Sequence, residues 1–168
     1  MKERKVRVPV RYLPKVLTKK DKEKQSKMLV RSQKLYKKHK YYTRKKVASF
    51  HSKTSNHITN ARKIYGIDSI SPNNELAKKT GCSIKALKKI VQKGEGAYFS
   101  SGSRPNQTAQ SWGLARLASA VTGGKASAVD YNILQEGCDH KKKAFLFAKK
   151  SIKKYKYGHS RTKKVSIV

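Results

Sequence analysis

Apolar positions recur at helical spacing in separate blocks, most of them opened by a capping residue and closed by glycine. Residues 1–17 are the exception. Val6, Val8 and Val10 alternate there, and Pro9 and Pro14 intervene, so the stretch reads as an extended arm or an edge strand. Thr18 followed by Asp21 resembles a capping box with Asp in place of Glu or Gln, and predicts a lysine-heavy helix to about Lys40. Its apolar positions (Met28, Leu29, Leu35, Tyr36) are too few for a buried face. That helix is expected to dock on something larger or to order on binding. A further helix is predicted from about Asn56 to Tyr65, capped by Thr54 or Ser55 and stopped by Gly66.

The middle of the chain is more sharply punctuated. Pro72 stands near the start of a helix that carries Leu76 and Ala77 and ends at Gly81. Ser83 then caps a helix bearing Ile84, Leu87, Ile90 and Val91, expected to stop at Gly94. A polar loop rich in Gly and Ser follows to Gln107. Thr108 caps a helix from Ala109 to about Val121, and Gly123-Gly124 breaks it. Another helix, about Ala126 to Glu136, stops at Gly137, and a basic terminal helix covers about His140 to Tyr157. The predicted class is all-α: a small helical core with a helix-turn-helix-like hairpin, flanked by long basic arms.

Charge changes this picture from a fold to a partner. Forty-two Lys or Arg stand against nine Asp or Glu, a net charge of +33. Residues 1–66 carry +19, residues 67–138 only +4, and residues 139–168 carry +10. This predicts a basic N-terminal arm with helical segments (1–66), a nearly balanced helical core (67–138) and a basic C-terminal helix and tail (139–168). Such self-repulsion opposes compaction unless a polyanion neutralises it. Lysine outnumbers arginine 33 to 9, which favours diffuse phosphate attraction over bidentate recognition. The expected partner is therefore a polyanion: double-stranded DNA, an anionic membrane surface or an acidic protein face, which charge does not separate.

Several classes are excluded. The longest apolar run, Ala144 to Ala148, is too short to span a membrane. The N-terminus, with Lys2, Arg4, Lys5, Arg7 and Arg11, never reaches a secretory apolar core. Two cysteines, Cys82 and Cys138, are too few for a disulfide scaffold or a four-ligand zinc site, and point to a reducing compartment. The scattered acids form no pair suited to catalysis, so no enzyme, cofactor or small-molecule substrate is expected.

The candidate chemistry lies in three stretches. In the first, residues 76–90, Ala77 permits close helix crossing, Gly81 takes the positive φ of a turn and Ser83 caps the second helix. The outer face then shows Ser83, Lys85, Lys88, Lys89 and Gln92, short polar tips and lysines suited to a nucleic-acid groove. In the second, Arg44, Lys45 and Lys46 interleave with Tyr41, Tyr42 and Phe50, which could stack on bases or anchor a linker to the core. The third is the Gly94–Gln107 loop, whose Ser100, Ser101, Ser103 and Arg104 read as an anion-binding set feeding a helix N-terminus, or as a plain surface loop.

Two of these regions also carry a family resemblance. The first runs from Tyr12-Leu13-Pro14-Lys15 through Thr18-Lys19-Lys20-Asp21-Lys22 to Gln25, with Ser49-Phe50-His51-Ser52-Lys53 downstream. The second joins Glu75–Ser83 to Gly96–Thr108, Ser111-Trp112-Gly113 and Ala115–Ser119, ending at Gly123-Gly124-Lys125. Together they resemble a small lysine-rich domain family of uncharacterised function encoded by large double-stranded DNA viruses of algae and protists. The resemblance implies a virion location and either a minor capsid protein, with other capsid proteins as partners, or a genome-associated one.

Overall fold

Side-chain caps place the helix starts. Thr18 Oγ1 accepts from the Asp21 N–H at 3.2 Å, and α1 (Lys19–Lys37) begins there. Ser55 does the same for α2 (Asn56–Tyr65), and Asn73 for α3 (Asn74–Thr80). Ser83 Oγ accepts from the Ala86 N–H at 3.1 Å at the head of α4 (Ile84–Ser100). The computed structural model describes residues 6–156 and 163–167. The remaining elements are a 3-10 helix (Val10–Tyr12), α5 (Ala109–Val121), α6 (Lys125–Val129), α7 (Tyr131–Gly137), α8 (Lys143–Tyr155) and two short strands. Those strands, β1 (Arg7–Pro9) and β2 (Lys164–Ser166), pair antiparallel with Val8 opposite Val165. The chain is thus mostly helical, as the periodicity predicts; of the alternating valines only Val8 lies in a strand, and Val10 already opens a 3-10 turn.

The described residues divide into two compact units, one of residues 6–53, 96–109 and 163–167, the other of 54–95 and 110–156. The boundaries at 66 and 138 drawn from charge both fall inside the second unit.

In the first unit α1 buries Met28 and Leu29 together with Gln25, Ser26 and Ser32. The expectation that α1 lacks a buried face failed because small polar residues complete it. Gln25 Nε2 donates to the Tyr12 carbonyl at 3.3 Å, and Ser32 Oγ to the Phe99 carbonyl at 3.1 Å, so burial leaves them satisfied. Leu17, Met28 and Val47 form a small cluster with Tyr42 and Phe50 against it. Asp21 receives both the Ser49 N–H and the Ser49 hydroxyl, and these bonds, the side-chain one foremost, hold its carboxyl below its ordinary value.

The second unit has the larger core, in which Leu76, Leu87, Ile90, Leu117, Val121, Leu134 and Phe145 are fully or almost fully buried. Gly94 does not end α4. A Cβ on Gly94 would lie 2.6 Å from the Gly113 Cα, so glycine is there to let α4 and α5 touch backbone to backbone. The predicted loop from Gly94 is therefore helical to Ser100. The helix expected from Ala126 to Glu136 is broken at Asp130, which is buried and forms a bidentate pair with Arg116 (2.7 and 2.8 Å). Lys93 lies 3.8 Å from the same carboxylate.

The free-thiol reading of Cys82 and Cys138 is overturned. The two form a disulfide across an antiparallel bridge, with the Ser83 N–H donating to the Gly137 carbonyl and the Asp139 N–H to the Gly81 carbonyl (2.7 and 2.8 Å). Sequence spacing gave no hint, because 56 residues separate the pair and only the fold brings them together. The inference of a reducing compartment rested on those thiols and goes with them.

Two tests follow from this packing. Reduction should lower stability by about 3–4 kcal/mol, from restored loop entropy in the unfolded chain, read by urea denaturation with and without reductant. Because the folded Asp21 pKa is depressed, its contribution is full above about pH 4 and fades as pH falls through the lowered folded value. Ser49→Ala should move the Asp21 titration, followed by carboxyl NMR, back up toward its ordinary value.

Candidate nucleic-acid interface

Helices α3 and α4 carry the residues of the first candidate stretch. Gly81, Cys82 and Ser83 link the helices, and Gly81 has φ +77°, which glycine adopts without strain. Leu87, Ile90 and Val91 face the core, so the opposite side of α4 faces water. Lys85, Lys88, Lys89 and Gln92 occupy that side at i, i+3, i+4 and i+7, and all four are exposed, as is Ser83 at the helix head. Lys78 and Lys79, in the last turn of α3, are exposed beside them in sequence. These two were legible in the motif but were not assigned to the face.

Beyond the turn, the segment after Cys138 packs back onto the hairpin. A Cβ on Gly81 would fall 2.5 Å from Lys142 Cγ and 2.7 Å from its Cβ, so the Lys142 stem lies directly over the turn. Asp139 stands at the same place, its carboxylate accepting from the Lys141 N–H at 2.9 Å.

Arg44, Lys45 and Lys46 part company. Arg44 is 6% exposed and points inward. Its Nη1 donates to Ser32 Oγ and the Tyr98 carbonyl (3.0 and 2.8 Å), and its Nη2 to Ser103 Oγ at 2.8 Å. The guanidinium lies 3.8 Å from the centroid of the Tyr98 ring. Its own N–H donates to Tyr98 Oη at 3.0 Å. Burial lowers its pKa, and Tyr98, Tyr12 and Tyr42 work in the opposite direction. With every contact turned inward, Arg44 organises the first unit and has no face for a phosphate. Lys45 and Lys46 remain exposed. Of the interleaved aromatics, Tyr42 and Phe50 pack on the Leu17–Met28–Val47 cluster while Tyr41 is 70% exposed.

The predicted anion set is likewise divided. Ser103 is fully buried, holding Arg44 and donating to the Arg104 carbonyl at 2.8 Å. Ser100 ends α4 and is exposed, as is Ser101, whose carbonyl accepts from Gln33 Nε2 at 3.1 Å. Arg104 projects outward, and its pKa is lowered first by partial burial and then by the nearby Arg11. Of the backbone amides in this stretch, those of Ser101 and Gly102 both reach the Ala97 carbonyl at the end of α4. Hydroxyls and guanidinium do not converge.

Among the described residues no three His, Cys, Asp or Glu side chains gather to hold a metal ion. Cys138, in the Cys138-Asp139-His140 run, is committed to its disulfide, and His140 stacks on Phe145 with centroids 4.0 Å apart. Nor is any described helix long and apolar enough to cross a membrane.

A family model for a family of unknown function, DUF5824, matches residues 9–141, which include both units' helices through α7 and the whole hairpin. The chain belongs to the DUF5824 family. No curated protein and no solved structure matches it. The DUF5824 match includes Arg44, Ser103, both cysteines and the α4 stripe.

Arg44→Lys should destabilise the protein by about 1–3 kcal/mol, since one ammonium cannot reproduce the planar fork toward Ser32, Tyr98 and Ser103. Thermal denaturation checks this.

Proposed function

We propose that this protein is a non-enzymatic structural protein that binds the phosphate backbone of double-stranded DNA, acting as a minor capsid or genome-associated component of a virion. The observation that carries the DNA-binding part is the exposed stripe of Lys85, Lys88, Lys89 and Gln92, opposite the buried Leu87, Ile90 and Val91. A chain with 42 cations and nine acids cannot pair its lysines internally, so at least 33 must find counterions elsewhere. Duplex DNA offers one negative charge per about 1.7 Å of axis, and each neutralised phosphate releases counterions into bulk solution.

Lysine ammonium groups fit this role better than base reading. They contact phosphate oxygens as point charges and carry little geometric demand. Ser83 and Gln92, at the two ends of the stripe, are the side chains suited to base edges. Lys45 and Lys46 add cations in the first unit. The virion setting, with other capsid proteins or an anionic membrane surface as neighbours, is supported by the resemblance carried by the Tyr12–Gln25 and Glu75–Lys125 stretches. No cofactor or small-molecule substrate enters this reading.

Substituting Lys85, Lys88 and Lys89 together by Ala should reduce the slope of log affinity against log salt by about 2.7, near 0.9 per contact. The matched control replaces Lys37, Lys38 and Lys40, which are also exposed. Fluorescence anisotropy with a short duplex across a salt series makes the measurement. Equal losses from the two triple variants would mean the binding is generic, and α4 then has no special part in it.

A further inference from the structure

We infer that the phosphate-binding face is composite: Lys141, Lys142 and Lys143 form its second half, held against the α3–α4 turn by the Cys82–Cys138 disulfide. This deepens the DNA-binding reading and rests on it. The two lysine groups are far apart in sequence, yet the structure joins them at one point. Cys82 sits in the turn between α3 and α4, and Cys138 lies three residues before Lys141. Main-chain bonds flank the disulfide on both sides, Ser83 to Gly137 and Asp139 to Gly81. The stem of Lys142 covers Gly81, and the residue is exposed, so this side chain starts out from the turn. Lys141, Lys142 and Lys143 are all exposed, and Ser83 at the tip is exposed with them.

The charge arrangement favours a linear polyanion over a compact one. Lys85, Lys88 and Lys89 lie along α4, while Lys142 packs on the turn at its head with Lys141 and Lys143 as its chain neighbours. The acids beside them are few. Asp139 is engaged by the Lys141 N–H, and Glu75 and Glu136 are exposed in the first turn of α3 and near the end of α7. A duplex backbone, with regularly repeating phosphates, can engage both lysine groups at once; a single free phosphate cannot. The disulfide makes this geometry dependent on thiol state. A dithiol such as dithiothreitol delivers two electrons and two protons to the Cys82–Cys138 bond, leaving two thiols and its own cyclic disulfide. The second lysine group then has no covalent tie to the turn and is held there by the flanking hydrogen bonds and by packing, the Lys142 stem on Gly81 and Phe145 in the common core.

The test uses the full chain and a duplex of about 20 base pairs in anisotropy titrations from 50 to 200 mM salt. With the disulfide intact, K141Q/K142Q/K143Q should lower the salt slope by about 2.7, which shrinks the loss of affinity across that range by about 40-fold. Glutamine keeps the stem that packs on Gly81. Dithiothreitol should bring the unmodified chain to the same slope and leave the triple-glutamine variant where it is. A variant that binds like the unmodified chain, or a reduced chain that keeps the full slope while circular dichroism shows it folded, overturns the composite face. Should reduction unfold the chain, the lysine variant alone decides, since it retains the disulfide. Loss of slope in the Lys85/Lys88/Lys89 variant but not in the glutamine variant would leave α4 as the sole face. The reverse pattern would instead remove the α4 reading.

Discussion

The surplus of 33 cations is the constraint under which everything else is arranged. With so few carboxylates, two of them, Asp130 and Asp21, do more than one task. Asp130 holds Arg116 in a bidentate pair, lies near Lys93 and marks the break between α6 and α7. Asp21 sits in the first turn of α1, where the helix dipole favours it, and fixes Ser49 through two hydrogen bonds. Where no carboxylate is at hand, neutral groups take over. Arg44 is the clearest case: hydroxyls, a carbonyl and an aromatic face surround a buried guanidinium. Charge-assisted bonds to neutral acceptors are stronger than neutral ones, but they must first offset desolvation. That balance explains why so many donors and acceptors converge on one side chain.

Lysines contrast with this economy of acids. Long stems can lie along apolar surface while ammonium groups stay hydrated, so a lysine-rich helix still packs if its other side is apolar. Helix α4 shows the rule, with lysines at one set of positions and Leu87, Ile90 and Val91 at the other. Helix α1 shows its limit. Having too few apolar residues, it buries Gln25, Ser26 and Ser32, and each buried polar atom then needs a specific partner. Such a face is more demanding in register than an apolar one, because a misplaced hydroxyl loses a hydrogen bond where a misplaced methyl merely loosens a contact.

What could be read from the sequence follows the range of the interaction responsible. Caps are local, so Thr18, Ser55 and Ser83 marked their helices correctly, and the outer stripe of α4 followed from a period of 3.6 residues. Glycine misled at Gly94, because a stop and a close helix crossing leave the same letter, and only the position of Gly113 separates them. Arg44 misled for a related reason. Flanked by lysines and tyrosines it resembles a phosphate contact, and its burial depends on Ser32, Tyr98 and Ser103 arriving from distant segments. The disulfide and the neighbourhood of Lys142 and Gly81 are long-range in the same sense. They come from tertiary structure and leave no trace in local spacing.

The strand pairing of Val8 with Val165 has a consequence for biosynthesis. The first unit draws on three stretches of chain, and its sheet lacks a partner until the last of them has left the ribosome. The second unit closes its core with residues no later than Ala148. During synthesis, which proceeds from the N-terminus at about 5–20 residues per second, the portion made first is therefore the portion finished last. Nascent residues 6–53, carrying much of the positive charge, wait beside an RNA-rich ribosomal surface while the later-made helices settle.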